Sequence, residues 1–178
     1  MNLRDEILKE HSKVQCEKIV AGVGSSQKKF DELLHLFLND EYRVVQRAGW
    51  PLSEIARKFP HLFLPHLPDI AAHARRRDQH PAFRRNICRI MEAMVIPETN
   101  EGEWMDLAFQ FLEDPSEAIA VKAHCISILT RLCIKYPEII PELRLLLAEQ
   151  KQTPALRARI NVFEKMVKAK NKIVNIKP

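Results

Sequence analysis

The sequence predicts an all-α fold, a right-handed α-α superhelix of about four helix pairs behind an N-terminal capping helix. Three observations predict it. One apolar spacing recurs four times along the chain. The residues that start and stop helices recur with it. No segment carries the period-2 alternation of a half-buried strand.

The spacing is i, i+4, i+7, i+11, the buried stripe of an amphipathic helix. It occurs in Val44-Ala48-Pro51-Ile55, Phe83-Ile87-Ile90-Met94, Ile119-Ala123-Ile126-Thr130 and Leu156-Ile160-Phe163-Val167. The first members lie 39, 36 and 37 residues apart, a period that suits two helices and two turns. Asn39-Asp40, Asp78, Asp114 and Thr153 precede these stripes as cap candidates. Pro81, Pro115 and Pro154 stand at or near first helical positions, where the missing N–H is no loss. Asp114-Pro115-Ser116-Glu117 predicts a helix opening at Pro115 with Asp114 as its cap. Pro60, Pro97 and Pro137 mark the far ends, and Pro51 predicts a kink or restart inside the first stripe.

A partner helix precedes each stripe. Phe30-Leu33-Leu34-Phe37 keeps strict i, i+3, i+4, i+7 spacing, and 68–74, 104–112 and 141–147 supply the others. Residues 2–22 read as a leading helix or helix pair with Val14, Cys16, Ile19 and Val20 apolar. Gly22 to Ser26 forms a turn, and Ser26 caps the next helix. The expected organisation is one domain over residues 1–178: a cap over 1–26, helix pairs over 27–60, 65–97, 101–137 and 139–170, and a basic tail over 171–178.

Composition narrows the function classes. The chain has 178 residues, 46% hydrophobic and 29% charged, as soluble globular proteins have. Only 4 Gly leave little material for phosphate-binding loops. No apolar run reaches the roughly 18 residues of a membrane span, and the charged amphipathic start lacks a secretory apolar core. The chain reads as cytoplasmic. Cys16, Cys88, Cys125 and Cys133 have no C-x-x-C spacing and read as buried free thiols. Seven histidines lack metal-ligand spacing, and neither a nucleotide loop nor a nucleophile elbow occurs. No catalytic residue, metal or cofactor is assigned. His11-Ser12 with Cys16 has no orienting acid, so it reads as structural.

Charge is striped. Residues 1–71 carry ten basic and ten acidic side chains, 72–90 six and one, 91–150 four and eleven, and 151–178 eight and one. A continuous phosphate backbone would meet an acidic block between two basic ones.

Asp40-Glu41-Tyr42-Arg43-Val44-Val45-Gln46-Arg47-Ala48 and 114–123 resemble the HEAT pattern, an Asp at the turn before a Val or Ile, a basic residue and a small one. The resemblance covers nearly the whole chain and implies a HEAT-like, armadillo-like solenoid. It departs at Asn86, which stands where Arg47, Lys122 and Arg159 stand elsewhere, and at the fourth repeat, which lacks the turn Asp. The chain is also similar to small bacterial HEAT-like proteins related to the DNA alkylation repair superfamily, which hold DNA on their second helices. On the second helices Arg43, Arg47, Arg84, Arg85, Arg89, Lys122, Arg157, Arg159 and Lys165 offer a basic ridge like that surface, and Trp50 stands near Glu54, but the Trp, Asp and Arg constellation of the repair enzymes has no residue-by-residue counterpart here. The competing reading pairs Arg47, Lys122 and Arg159 with turn aspartates, leaves Arg75-Arg76-Arg77 a solvated helix end and makes Trp50 a packing residue. The expected function is a monomeric, non-catalytic scaffold for a protein partner, with duplex-DNA binding as the alternative.

Overall fold

A computed structural model describes residues 2–78, 81–150 and 153–174. Among them every regular element is helical. The chain divides into two compact units, Met1–Asn100 and Glu101–Pro178.

The first unit opens with α1 (Leu3–Lys9) and α2 (Lys13–Val23), so the predicted leader is a pair. Asn2 and Ser12 cap them by accepting from the amides of Asp5 and Gln15, each satisfying one donor that the first turn leaves unmade. Gly24 ends α2 at φ 55°, a left-handed value that glycine adopts without penalty. Ser26 then caps α3 (Gln27–Asn39), as its sequence predicts. The stripe Phe30, Leu33, Leu34 and Phe37 is buried to 2% exposure or less. Val14 departs from its expected place: it is 72% exposed, while Cys16, Ile19 and Val20 face inward.

α4 (Tyr42–Lys58) packs against α1, α2, α3 and α6 (Pro81–Ala93), which makes it the core helix of this unit. Of the kink or restart predicted at Pro51, the restart does not occur, because α4 runs through the proline without a break. Pro51 is buried with Ala48, Leu52 and Ile55, so packing on several sides outweighs the lost backbone bond. Asp40 departs from expectation as well. It closes α3 rather than capping α4, and its carboxylate takes the guanidinium of Arg4, with Nε at 2.9 Å from Oδ2. Pro60 starts a 3-10 helix, Pro60–His66, that the apolar spacing does not reveal. Its Phe63 meets Phe30 edge-on at 4.6 Å, and the ring nitrogen of its His66 lies 2.7 Å from Asp31, so the segment is fastened to α3. α5 (Leu67–Arg75) follows and packs on α6.

α7 (Glu98–Glu113) leads into the second unit, which holds α8 (Ile119–Lys135), a short 3-10 turn Pro137–Ile139, α9 (Ile140–Glu149) and α10 (Pro154–Val174). α8 begins one turn later than predicted. The Asp114 carboxylate accepts from the amide and hydroxyl of Ser116, and this local turn displaces the cap. Thr153 caps α10 as expected, accepting from Leu156 N at 3.4 Å. α10 continues to Val174, so the predicted tail at 171 is still helix there, and residues 175–178 lie outside the described residues. α8 packs along α10, and Val121 and Ile128 on the one and Phe163 and Val167 on the other are at most 2% exposed. All four cysteines are buried and free. No helix among the described residues is long and apolar enough to cross a membrane.

Candidate functional site

The side chains predicted to face a partner are the cations of the second helices, and several of them turn back into the fold. The last four carbonyls of a helix have no amide partner, and the helix dipole makes that end negative, so a cation there gains a hydrogen bond and a favourable field. Arg47 of α4 donates through Nη1 to Ile7 O at 3.4 Å and Leu8 O at 2.8 Å, in the last turn of α1. Lys122 of α8 donates to Leu112 O at 3.1 Å, at the end of α7, and to Gln150 Oε1 at 3.0 Å. It is 7% exposed. Lys170 of α10 does the same for α8, with Cys133 O at 3.1 Å and Ile134 O at 2.8 Å. The turn aspartates expected to hold Arg47 and Lys122 are engaged elsewhere, Asp40 with Arg4 and Asp114 with Ser116.

The structure shows where Asn86, the departure from the pattern, packs. Asn86 is 4% exposed and lies against Gly49 where α4 and α6 cross. A Cβ at Gly49 would sit 2.4 Å from Asn86 Cγ, so the Asn86 side chain fills the space that the glycine leaves. Asn86 Nδ2 donates to Gln46 O at 3.4 Å. The helix-end role passes to Arg84, two residues earlier, whose Nε donates to Ala74 O and Nη2 to Arg76 O, both at 3.1 Å.

The other predicted cations have varied settings. Arg43 and Arg85 are exposed and Arg89 is half-buried. Arg157 is exposed and Arg159 half-buried, and each engages a neighbour. Lys165 is exposed. In the run 75–77, Arg76 clasps Asp78 with two bonds of 3.1 and 2.8 Å, which raises the guanidinium's pKa and lowers the carboxylate's.

Trp50 is half-buried, with His11 edge-on at 5.6 Å. It lines a cleft of about 140 Å³ with Cys16, Glu17, Glu54 and Lys58. The Trp50–Glu54 proximity expected from sequence is therefore present, but Glu54 is held by Arg57 at 2.8 Å. Burial pushes the Cys16 thiol up to about 11, so it stays a thiol near neutral pH, a poor nucleophile and a poor metal ligand. The space shared by His11, Ser12 and Cys16 is about 10 Å³, room for about one water molecule and no larger substrate group. Of the seven histidines, His80 lies outside the described residues. Among the described residues no three His, Cys, Asp or Glu side chains gather as metal ligands would.

Sequence reasoning missed Lys170, Gln150 and Arg4. Each acts on a group 28 to 38 residues away, and helical periodicity reports the face a residue occupies but not the neighbour it meets.

A family profile described as a HEAT repeat domain matches residues 3–169. Comparison with curated proteins gives no match. Comparison with solved structures gives none either.

Proposed function

The chain belongs to the HEAT repeat family, and from that premise we propose that it is a non-catalytic binding module for a protein partner. HEAT repeats generally mediate contacts between proteins. One observation carries the choice of a protein over a nucleic acid. Arg47, Arg84, Lys122 and Lys170 have their donors on helix-end carbonyls. Turning the same donor onto a phosphate would break a native hydrogen bond, at a loss of about 1.5–3 kcal/mol for a charged donor. The acidic block over 91–150 works in the same direction, since it repels an anionic polymer.

A second reading, duplex-DNA binding, draws on Arg43 and Arg85, which are exposed, and on half-buried Arg89. Fluorescence anisotropy of a labelled duplex at roughly 50 and 200 mM salt separates the two. Six or more phosphate contacts would cost about a thousandfold in affinity across that range. The protein-partner reading predicts no binding at the lower salt. Micromolar binding with that slope, lost in the triple variant Arg43→Ala/Arg85→Ala/Arg89→Ala, would replace it with the second.

A further inference from the structure

The second unit contains an open groove of about 470 Å³ between the α7–α8 turn and the end of α9. Three carboxylates line it, Glu113, Glu117 and Glu149. Lys122 is the lining cation among the described residues, and its ammonium is turned onto Leu112 O and Gln150 Oε1. The floor includes Leu156, 1% exposed, and beside it stands Ile119, 43% exposed. Ile119 opens the third apolar stripe. The equivalent residues Val44, Phe83 and Leu156 are 0, 2 and 1% exposed, so the stripe is left unburied at this groove.

The two outer carboxylates are also placed against local stability. Glu113 and Glu149 are the last residues of α7 and α9, where the helix dipole disfavours an anion. Elsewhere this chain puts cations there, Arg57 and Lys58 in α4 and Lys135 in α8. Glu6, Glu54, Glu101 and Glu164 all pair with Lys or Arg. Glu113 and Glu149 form no ion pair among the described residues. An exposed isoleucine in one groove with Glu113 and Glu149, which have no ion pair among the described residues, is complementary to a chain that is both apolar and cationic.

We propose that this groove receives a basic segment of a partner protein, one leucine- or isoleucine-sized side chain seated on Ile119 and Leu156 and flanking Lys or Arg side chains at Glu113 and Glu149. The proposal rests on the protein-partner reading and names that partner's chemistry. A phosphate polymer would be repelled here, and a small free cation would leave Ile119 exposed to water.

The test uses the full chain and a fluorescein-labelled synthetic peptide of about twelve residues, Lys and Arg around a central Leu. Anisotropy should show binding that weakens about tenfold or more in Glu113→Gln/Glu149→Gln, with circular dichroism unchanged. Glu138→Gln/Glu142→Gln, which alters exposed carboxylates outside the groove, should leave affinity unchanged. Ile119→Ser should weaken the Leu peptide about tenfold and leave its Leu→Ala counterpart unaffected. Absence of peptide binding would overturn the groove assignment, as would equal weakening by the two Gln pairs. The duplex-DNA experiment stays independent: if neither peptide nor duplex binds, the groove proposal alone is lost, whereas duplex binding removes the reading beneath it.

Discussion

Asn86 lies so close to Gly49 that a Cβ on the glycine would fall 2.8 Å from Asn86 Cβ and 2.4 Å from its Nδ2. This contact sets how near α4 and α6 approach, and both residues are buried. Alanine normally gains about 1 kcal/mol over glycine inside a helix. Gly49→Ala should nevertheless destabilise the protein by about 1–3 kcal/mol, because overpacking outweighs propensity. Adding Asn86→Gly should recover part of that loss. Urea denaturation of the three variants decides it, and a Gly49→Ala protein as stable as wild type would mean that the crossing is not tight.

Acid should attack the N-terminal helix pair. Glu6 accepts from Lys18 at 2.8 Å, Lys9 at 2.6 Å and Gln15 Nε2 at 2.8 Å. Hydrogen bonds from Lys18 first, then from Lys9 and Gln15, hold its carboxyl at about 2 rather than 4.5. A carboxyl lowered by folding contributes stability above its unfolded value and loses it as pH falls toward its folded one. The contribution is therefore complete above about pH 4.5 and gone near pH 2. Glu6→Gln should flatten the decline of thermal midpoint across that window, and an unchanged slope would dismiss the network.

Thiol chemistry should be slow in the native protein. Burial pushes both Cys16 and Cys133 up to about 11, so at pH 8 little thiolate is present. Ellman's reagent should react with these two only as fast as the chain opens, and fully in denaturant. Immediate reaction of Cys16 without denaturant would contradict its burial.

Trp104 carries an indole N–H that is buried and has no hydrogen-bond acceptor among the described residues, a state worth about 1–3 kcal/mol of lost stability. Trp104→Phe removes that donor as well as ring volume, so the two effects oppose. It should change stability by less than about 1.5 kcal/mol, whereas Trp104→Ala should lose about 3–5 kcal/mol. A Phe variant as unstable as the Ala variant would mean that the donor is satisfied.

Helix order, the caps at Ser26 and Thr153 and the apolar stripes, apart from exposed Ile119 and half-buried Ile160, were legible in the sequence, because each depends on residues within one helix. The failures share a different cause. Asp114 and Asp40 look alike as cap candidates, but a nearby Ser116 diverts the first and Arg4, 36 residues away, diverts the second. Pro51 looks like a break until α4 is seen to be packed by four other helices. At the candidate site the sequence identified the cations and their helices but not their direction. Arg47 meets a carbonyl 39 residues earlier, and a 3.6-residue period carries no information about that partner.

The most direct test of the account is whether the second-helix cations belong to the fold. Equilibrium urea denaturation of Arg47→Ala, Lys122→Ala and Arg43→Ala measures it on one scale. Losing a charged donor to a helix-end carbonyl should cost Arg47→Ala and Lys122→Ala about 1.5–3 kcal/mol each. The exposed Arg43→Ala should stay within about 0.5 kcal/mol of wild type. If all three variants unfold alike at the wild-type midpoint, these cations are not structural, and the argument for a protein partner over a phosphate backbone loses its foundation.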